Sequence, residues 1–556
     1  MYKQIGIEFM KYLTMVLAFC LLAISVFADP VHITSWNIEN DINTLNDMHV
    51  SIDSVNRNTG TIIAYVRNES EYQAILATGM DAEWIPNLAK EYALQLRTSS
   101  QNSDDPDRAY YTLANYHTFM QETATQYPDI CQLVQIGTSV QGRPLYFMKI
   151  SDNVAIQENE PELRYISSIH GDEVVGYDML IRLIQLLTTE YTETQRIADI
   201  VNNTEIWICP MMNPDGYNSS TRYNADGIDL NRNFPMPSGN QHPDGNAWAT
   251  ENIAMMNFSN EHSFDLSLNF HGGELVLNYP WDYTYSLAPD DALLQEMALT
   301  YTRPHTGLYN STDFTHGITN GAQWYVITGS MQDWFYGITG CIDITAEISR
   351  NKWPSSSQLP NYWNLNKESM LRYIEFAQNG AKGLVTDYQG NPLSAVISIA
   401  GNTKTKKNDP DVGDYHRLLL PGTYNITATV DGYEPQTTLV SVPTTGHVIQ
   451  NFVFGNGSQV YDQSIPASDL IHLNVFPNPF NNNAKISFEL PQADDGVTLQ
   501  VFNLKGQLVT NVQNSNMKAG IHTTQLTIGD NLPSGIYFCR LSTSYGSKTY
   551  KFVHQK

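Results

Sequence analysis

His170 and Glu173, three positions apart, are the residues whose types and spacing first suggest metal chemistry. An apolar stretch from 163 to 169 precedes them and predicts a buried strand. The sequence after Glu173 predicts a helix, because its apolar residues recur at helical spacing. Imidazole and carboxylate are ordinary zinc ligands, and a catalytic zinc keeps three protein ligands and a water. The pair could supply two of these ligands, so a third ligand and a base must come from elsewhere.

Strands and helices alternate from about residue 110 to 379, which predicts an α/β domain with a mixed, mostly parallel sheet flanked by helices. Asn213, His271 and Glu347, like His170, each stand at or just after a predicted strand. In such sheets, functional groups collect where strands stop and loops begin. We therefore expect these side chains to lie close together. In a chain with 14 histidines, a His–Glu pair alone is weak evidence for a metal site. Further functional groups at the same edge would strengthen that evidence.

Six short motifs follow one another in this region. They are His170–Glu173, Asn213–Tyr217, Asp229–Phe234, Asn269–Gly273, Gly321–Tyr325 and Thr345–Ser349. In this order they resemble the zinc metallocarboxypeptidases, and most closely the regulatory branch typified by carboxypeptidases D, E and N. The resemblance covers about residues 110 to 380. A peptidase of this kind needs zinc to polarise a carbonyl and acidify a water, and a carboxylate to take the proton of that water.

The resemblance implies one zinc ion held by His170, Glu173 and His271, with a water as the fourth ligand. Glu347 would be the general base and later the proton donor to the leaving amine. Asp229 would orient a zinc-binding imidazole, since ligating histidines usually donate their other N–H to a nearby acceptor.

The same resemblance implies a set of groups that bind the substrate. Arg222, ten residues before Arg232, would stabilise the oxyanion on the scissile carbonyl. Asn231 and Arg232 would hold the terminal carboxylate of the peptide, a task that suits bidentate arginine. Tyr325 would close over the substrate.

A preference for basic residues is the finer expectation. Asp282, eleven residues past His271, resembles the aspartate with which the regulatory branch pairs a C-terminal Arg or Lys, and Gln332 matches the same branch. An ordinary loop carboxylate is the alternative for Asp282. Glu274 and Ser330 depart from the family pattern. Neither removes a catalytic group, but Glu274 could alter the electrostatics near the pocket.

The first 28 residues predict a cleavable export signal, because an apolar run follows two lysines and ends in small residues that suit a signal peptidase. A membrane anchor is the alternative, but the run is shorter than a usual span. Residues 29–105 predict two strands, at 50–55 and 61–66, a helix at 69–77 and a polar linker. They could be an accessory domain or an inhibitory pro-segment, and we favour the accessory domain.

The catalytic domain is expected over 106–380, followed by a β-sandwich at 381–455 that resembles the transthyretin-like domain of the same branch. A linker at 456–469 leads to a second small β module at 470–556, which resembles the sorting domain of proteins exported by type IX secretion. Its marks are Phe476–Phe480, Val501–Gln507 and Ser534–Phe538. A general β adhesion module is the alternative for this last part.

The composition limits the partners of the chain. Its 31 basic and 57 acidic residues give a net charge of −26, which argues against nucleic acid or an anionic membrane as a partner. Of five cysteines, Cys20 lies in the signal, and the other four are too sparse for a disulfide framework. All four stand in apolar contexts typical of buried cysteine, although one disulfide remains possible.

The sequence therefore predicts a secreted zinc carboxypeptidase that releases single C-terminal residues, Arg or Lys, from peptides or proteins. Its partners would be peptide C-termini and the secretion machinery, and no integral membrane span is expected after signal removal. A cell-wall peptide hydrolase of the same fold is one alternative. A catalytically silent binding or adhesion protein, carried by the two β modules, is another.

Overall fold

The computed structural model describes most of the chain. The described residues are 29–88, 90, 91, 93, 110–239, 243–455, and 472–554 without 477, 479, 481–482, 491–492, 519, 528–532 and 545. The chain divides into two compact units after Gly455. The signal peptide expected at 1–28 and the linkers expected near 99–106 and 456–469 lie outside the described residues.

Residues 29–84 form a four-stranded antiparallel sheet with two helices. The strands are β1 (Asp29–Thr34), β2 (Ser51–Asn56), β3 (Thr61–Val66) and β4 (Asp81–Trp84), and the helices are Ile38–Asp47 and Glu69–Ala77. The strand order is β2-β3-β1-β4, so β2 lies at an edge. Both predicted strands and the predicted helix are confirmed. The sequence analysis missed β1, β4 and the first helix, whose start is marked by the Asn37 side chain accepting from the Asn40 N–H.

This small sheet packs directly on the following domain. Its apolar residues share one buried cluster with Trp324, Tyr325 and Ile327, of which Tyr325 is the residue expected to close over a substrate. The Trp324 indole N–H donates to the carbonyl of Val55 on β2 (3.0 Å). The N-terminal sheet and the α/β domain therefore form one continuous structure at this edge.

Eight further strands make the central sheet of the first unit. They are β5 (Cys131–Thr138), β6 (Pro144–Ile150), β7 (Glu162–Ser167), β8 (Glu205–Cys209), β9 (Leu266–His271), β10 (Leu275–Tyr279), β11 (Ile318–Asn320) and β12 (Ile342–Ile348). Their order is β11-β10-β12-β9-β7-β8-β6-β5. Strands β12, β9, β7 and β8 run parallel, and antiparallel pairings flank them on both sides. The predicted mixed α/β sheet is confirmed.

Helices cover both faces of this sheet. They are Leu113–Gln126, Val175–Thr189, Gln195–Val201, Pro214–Ser219, Thr250–Asn260, Asp291–Thr302, Thr306–Tyr309, Gly321–Trp324, Met331–Trp334 and Leu359–Phe376. Because side chains alternate along a strand, Tyr165 and Ile208 enter one apolar cluster while Ile166 and Trp207 enter another. Burial on both faces explains why these strands are continuously apolar.

The topology brings the expected functional residues to one edge. Strands β7, β9 and β12 are parallel neighbours, so their carboxyl ends meet. His170 follows β7, His271 ends β9, and Glu347 lies one residue before the end of β12. In the β9–β12 register, Glu347 stands directly beside His271.

A β-sandwich follows the α/β domain. Its strands are β13 (Gly380–Asp387), β14 (Ala395–Ile399), β15 (Thr405–Lys407), β16 (Asp414–Arg417), β17 (Gly422–Val430), β18 (Gln436–Val442), β19 (His447–Ile449) and β20 (Phe452–Phe454). They form two four-stranded sheets that share one apolar core. Buried ion pairs attach the sandwich to the α/β domain, from Lys406 to Asp265 (2.8 Å) and from Arg417 to Asp290 (2.7 Å).

The second unit is also built from strands. They are β21 (His472–Phe476), β22 (Asn483–Leu490), β23 (Asp494–Asn503), β24 (Leu508–Met517), β25 (Gly520–Thr527), β26 (Gly535–Thr543) and β27 (Gly546–His554). A three-stranded sheet, β21-β22-β25, and a four-stranded sheet, β24-β23-β26-β27, enclose a common apolar core. The predicted β module is confirmed as a β structure of two sheets.

Two further findings concern the described residues as a whole. Cys131, Cys209, Cys341 and Cys539 are buried free thiols, as their apolar contexts predict. Among the helices described, none combines the length and the apolar character needed to cross a membrane.

A substitution at Gly171 tests how tightly the turn after β7 is built. A Cβ atom there would lie 2.0 Å from the carbonyl carbon of Gly216 and 2.2 Å from the Tyr217 nitrogen, and both belong to backbone that cannot easily move. We expect Gly171→Ala to lower the stability of the first unit by about 1–3 kcal/mol, the usual cost of overpacking, and to displace His170. Thermal unfolding followed by circular dichroism measures the loss. Gly455→Ala, whose Cβ would make only ordinary contacts, is the control, and equal melting temperatures would contradict the expectation.

Candidate zinc and substrate site

The turn that carries His170 is held by the Asn213 side chain. Its Nδ2 donates to the carbonyl of Ile169 (3.1 Å), and its Oδ1 accepts from the N–H of Gly216 (2.9 Å). Asn213 therefore reaches the predicted edge of the sheet. Its contacts position the backbone of the turn.

His170, Glu173 and His271 converge in a buried position. His170 Nδ1 lies 3.0 Å from one carboxylate oxygen of Glu173, and His271 Nδ1 lies 2.9 Å from the other. One ligand atom from each of the three residues falls within 4.8 Å of the others. Two imidazoles and one carboxylate are a donor set that zinc prefers, and three protein ligands leave a position for water or substrate. The residues present therefore fit a catalytic zinc ion.

Asp229 connects this group to the next motif. Its Oδ1 lies 3.0 Å from His170 Nε2, the ring nitrogen that faces away from Glu173. Its Oδ2 accepts from Nε of Arg222 (2.9 Å). Asp229 thus occupies the place expected of a residue that orients a ligating imidazole.

Glu347 is buried beside the His170–Glu173–His271 group. Its Oε2 has no hydrogen-bond partner among the residues that the structure describes. Burial, reinforced by the charges of Glu173 and Asp53, raises the pKa of Glu347 well above its usual range. A buried carboxyl group with an unused oxygen is costly for a fold, so its presence here favours a chemical role.

The proposed substrate-binding residues surround a cavity beside His170 and His271, whose roughly 400 Å³ of empty space is partly open to solvent. It is lined by Asp53, His170, Arg222, Asn231, Arg232, His271, Asn278, Asp282, Gly321, Trp324, Tyr325, Ile327, Thr345 and Glu347. Of the residues named from the sequence, Asn213, Gln332, Glu173 and Asp229 do not line it; Glu173 contacts both histidines and Asp229 contacts His170. The arrangement thus places two arginines, two asparagines and three acidic side chains around a single space.

Asp282 is a buried residue of the cavity lining. Its Oδ1 accepts from Gln332 Nε2 (2.8 Å) and Asn278 Nδ2 (3.1 Å). Burial raises the pKa of Asp282 to about 6. Gly321 allows the carboxylate to reach the cavity, because a Cβ at that position would lie 1.8 Å from Asp282 Oδ1. Asp282 is thus buried and held by hydrogen bonds in the cavity wall, unlike an exposed loop carboxylate.

The two departures from the family pattern differ in position: Glu274 lies away from the cavity, whereas the Ser330 side chain hydrogen-bonds to Asp282. Glu274 forms an ion pair with Arg350 (3.1 Å) and does not line the cavity. Ser330 begins the helix Met331–Trp334, where its hydroxyl accepts from the N–H of Asp333 (3.3 Å).

Three residues that the sequence analysis did not identify contribute to the site. Lys352 Nζ lies 3.1 Å from Glu173 Oε1 and also contacts Asp53. Ser51 donates to Asp229, and Asp53 pairs with Arg222 (2.8 Å). Lys352 stands five residues after Glu347 at the same edge of the sheet, so its position was a usable signal. No local signal marks Ser51 or Asp53, because their role depends on how the N-terminal sheet packs.

Comparison with known proteins places these features in a family. Residues 116–369 match the family described as "Zinc carboxypeptidase", and residues 474–555 match the "Secretion system C-terminal sorting domain". Among solved structures, a carboxypeptidase A from Helicoverpa armigera is similar in fold, with a TM-score of 0.52 and 18% identity over 62% of this chain and 96% of that chain.

Three curated relatives are similar in sequence. Human carboxypeptidase D is 39% identical over 410 residues, which are 67% of this chain and 28% of the relative. Carboxypeptidase SOL1 of Arabidopsis thaliana is 38% identical over 60% of this chain and 70% of its own length. The mouse carboxypeptidase N catalytic chain is 38% identical over 60% of this chain and 84% of its own length.

The chain thus spans about a quarter of the carboxypeptidase D relatives and most of the two shorter ones. The region matched by the family contains the His–Glu–His group, Glu347 and every residue that lines the cavity except Asp53. The chain belongs to the zinc carboxypeptidase family and carries a C-terminal sorting domain.

Proposed function

We propose that this protein is a secreted zinc carboxypeptidase that removes single C-terminal residues, with a preference for Arg or Lys, from peptides or proteins. One observation carries the proposal. The His170–Glu173–His271 group, an unpaired carboxyl oxygen, two arginines and a buried aspartate all meet around one cavity that could take the end of a peptide.

His170, Glu173 and His271 would hold the zinc ion, which supplies Lewis acidity to the scissile carbonyl and to a water when bound. Glu347 would take a proton from the attacking water and pass it to the leaving amine. Its raised pKa makes it a stronger base than an exposed carboxylate and suits it to hold that proton between the two steps.

Arg222 would donate to the carbonyl oxygen as negative charge develops there. A fixed cation in a site closed to water stabilises such charge strongly. Arg232 and Asn231 would bind the terminal carboxylate and so restrict cleavage to the last peptide bond. Tyr325 would pack over the bound residue, consistent with its position on the cavity wall.

Asp282 supports the basic preference. A buried carboxylate in the cavity wall favours a cationic side chain, and it disfavours an apolar one by leaving its own charge without a partner. The hydrogen bonds from Gln332 and Asn278 orient it for this purpose.

The sorting domain supports an extracellular or cell-surface location, reached through type IX secretion machinery that would read the C-terminal module. In this proposal residues 1–28 act as the export signal. Peptide C-termini are the partners of the catalytic site.

The proposal is tested with a panel of peptides ending in Arg, Lys, Phe, Leu or Glu, assayed with and without a chelator. We expect release of the basic residues, abolished by the chelator. Glu347→Gln should keep zinc and lower kcat by about 10²- to 10⁴-fold, the usual contribution of a general base. Glu274→Gln, which removes a partly buried carboxylate outside the cavity, is the control.

The panel also separates the alternatives. Release of diaminopimelate from wall fragments, without release of lysine from peptides, would support a cell-wall hydrolase. A zinc-loaded protein that hydrolyses none of these substrates would support a binding or adhesion protein.

His271→Ala tests the metal site itself. Removing one of three ligands should lower bound zinc well below one equivalent, as measured by elemental analysis after dialysis. His316→Ala changes an exposed histidine outside the group and should retain the metal. Full zinc content in His271→Ala would exclude His271 as a ligand.

Asp282 predicts a pH-dependent specificity. With a pKa of about 6, this carboxyl group is mostly neutral at pH 5 and mostly charged at pH 7. The ratio of kcat/KM for an Arg-terminated over a Leu-terminated peptide should therefore rise across this range. Asp282→Asn should lower the ratio at pH 7 by about 10- to 100-fold, because a hydrogen bond to a charged group contributes roughly 1.5–3 kcal/mol. Asp226→Asn, at an exposed carboxylate, should leave the ratio unchanged, and a flat ratio in the unmodified protein would refute the role of Asp282.

A further inference from the structure

The face of strand β12 that carries Glu347 is polar although it is buried. Ile344 and Ala346 enter the apolar cluster on one side of the sheet. Because side chains alternate along a strand, Asp343, Thr345 and Glu347 face the other side. All three are buried, and Asp343 is fully excluded from solvent. The proposed catalytic step uses only Glu347, so it does not explain the other two polar side chains.

Hydrogen bonds connect Asp343 to Thr345 through Asn269 on the neighbouring strand β9, and we call this the Asp343–Asn269–Thr345 relay. Asn269 Nδ2 donates to Asp343 Oδ2 (2.9 Å) and to the carbonyl of Ile344 (3.3 Å). Asn269 Oδ1 accepts from the hydroxyl of Thr345 (3.1 Å). A carboxylate and a carbonyl can only accept, so the amide nitrogen of Asn269 faces them and its oxygen faces Thr345. The relay therefore has one direction.

This direction determines what Thr345 offers to the cavity. Its hydroxyl group has one proton and two lone pairs. The proton is donated to Asn269, and Thr345 lines the cavity, so only acceptor lone pairs remain for a bound molecule. Such a group suits a guanidinium or an ammonium group, because both can only donate.

A basic side chain in the cavity needs more acceptors than Asp282 supplies. A guanidinium group has five N–H donors and an ammonium group has three, whereas a carboxylate accepts about four bonds. Asp282 already accepts from Gln332 and Asn278, and the Ser330 side chain also hydrogen-bonds to it. Unpaired donors on a buried cation are costly. Thr345 Oγ1 supplies a further acceptor, and so does Asn278 Oδ1, which has no hydrogen-bond partner among the described residues.

The backbone of Thr345 supports the same part of the cavity. Its N–H donates to Gln332 Oε1 (3.0 Å), which turns Gln332 Nε2 towards Asp282 Oδ1 (2.8 Å). Thr345 thus fixes the Gln332 amide through its N–H, and its own O–H is fixed by Asn269. Two sets of oriented hydrogen bonds meet at this residue of the cavity wall.

The surroundings of Asp343 do not account for a carboxyl group by themselves. Burial raises the pKa of Asp343 to about 7, against the charge of the fully buried Arg164 and a hydrogen bond from Ser267. Asp343 Oδ1 and Arg164 Nη2 have no hydrogen-bond partner among the described residues. Apolar residues commonly fill such a position at lower cost, so the carboxyl group favours a role at the neighbouring site.

We infer that Asp343 is a positioning residue for substrate specificity: through Asn269 it directs the Thr345 proton away from the cavity, so that Thr345 accepts a hydrogen bond from a basic C-terminal side chain. The inference rests on the proposed function and extends it. It assigns a second acceptor beside Asp282 and a buried residue that sets the direction of that acceptor. Asp343 does not line the cavity, so it acts through the relay.

Thr345→Val tests the acceptor in the full-length, zinc-loaded protein at pH 8, where Asp282 and Asp343 are both mostly charged. Valine keeps the shape and removes the hydroxyl. The ratio of kcat/KM for an Arg-terminated over a Leu-terminated peptide should therefore fall about tenfold, mainly through KM for the Arg-terminated peptide. An unchanged ratio in folded Thr345→Val protein would overturn the inference.

Two further variants serve as controls for this measurement. Thr345→Ser keeps the hydroxyl group and should retain most of the ratio. Thr302→Val removes a fully buried hydroxyl from the helix Asp291–Thr302, which does not line the cavity, and should leave the ratio unchanged. Loss of the ratio in Thr345→Ser equal to that in Thr345→Val would overturn the role of the hydroxyl group.

Asp343→Asn tests whether the carboxylate acts through Thr345. An amide can donate as well as accept, so Asn269 is no longer held in one orientation and the ratio should fall by about threefold or more. In the Thr345→Val background the same change should lower the ratio no further, because the relay has lost its last member. Equal losses in both backgrounds, or no loss in folded Asp343→Asn protein, would overturn the inference. A loss of stability alone would lower kcat/KM for both peptides together.

Neutron diffraction from the deuterium-exchanged protein needs no variant and separates this inference from the proposed function. The deuteron of the Thr345 hydroxyl should lie towards Asn269 Oδ1. If it does, and Thr345→Val weakens calorimetric binding of the Arg-terminated peptide to Glu347→Gln protein although no form turns over substrate, the proposed function fails and the inference stands. If turnover of Arg-terminated peptides is robust but the deuteron points into the cavity, the function stands and the inference fails.

Discussion

The buried carboxylate of Glu173 is the interaction on which the rest of the site depends. It faces His170 and His271, accepts from the N–H of Gly272 (3.2 Å) and lies 3.1 Å from Lys352 Nζ. Burial alone would raise the pKa of Glu173, but the charges of His170, Lys352 and His271 outweigh it and hold the pKa well below its usual range. A desolvated charge is tolerated only when such partners are fixed around it. The parallel strands β7 and β9, together with the turn that Asn213 holds, keep His170 and His271 in place around Glu173.

A site built in this way keeps several cations fixed in and beside the cavity. Arg222, Arg232 and Lys352 are held in place before any substrate arrives, and a carboxylate of the chain itself, Asp53, lies between two of them. The fixed cations of the site are therefore already paired within the chain, and Asp53 of the N-terminal sheet is one of their partners.

Much of this arrangement was accessible from the sequence. Apolar strands buried on both faces, helical periodicity and ordered motifs predict the α/β sheet and the convergence of His170, His271 and Glu347, because each motif lies where a strand ends. The sequence could not place Asp53 or Ser51. Their contacts cross from one folded region to another, and the segment from 50 to 66 looks like an ordinary hairpin. Lys352 was missed because a lone lysine in a polar loop is most often solvated, and only the fold turns it towards Glu173.

The pairing of β2 with β3 changes register between Ile52 and Ser54, and this irregularity at Asp53 has a consequence for how this region can change over generations. Side chains alternate along a strand, so the loss or gain of one residue in β2 would turn Ser51 and Asp53 to the opposite face. Point substitutions elsewhere on the hairpin leave that geometry intact. The length of the chain between residues 51 and 56 therefore fixes the ion pairs that Asp53 makes with Arg222 and Lys352 more strictly than the identities of the residues around it do.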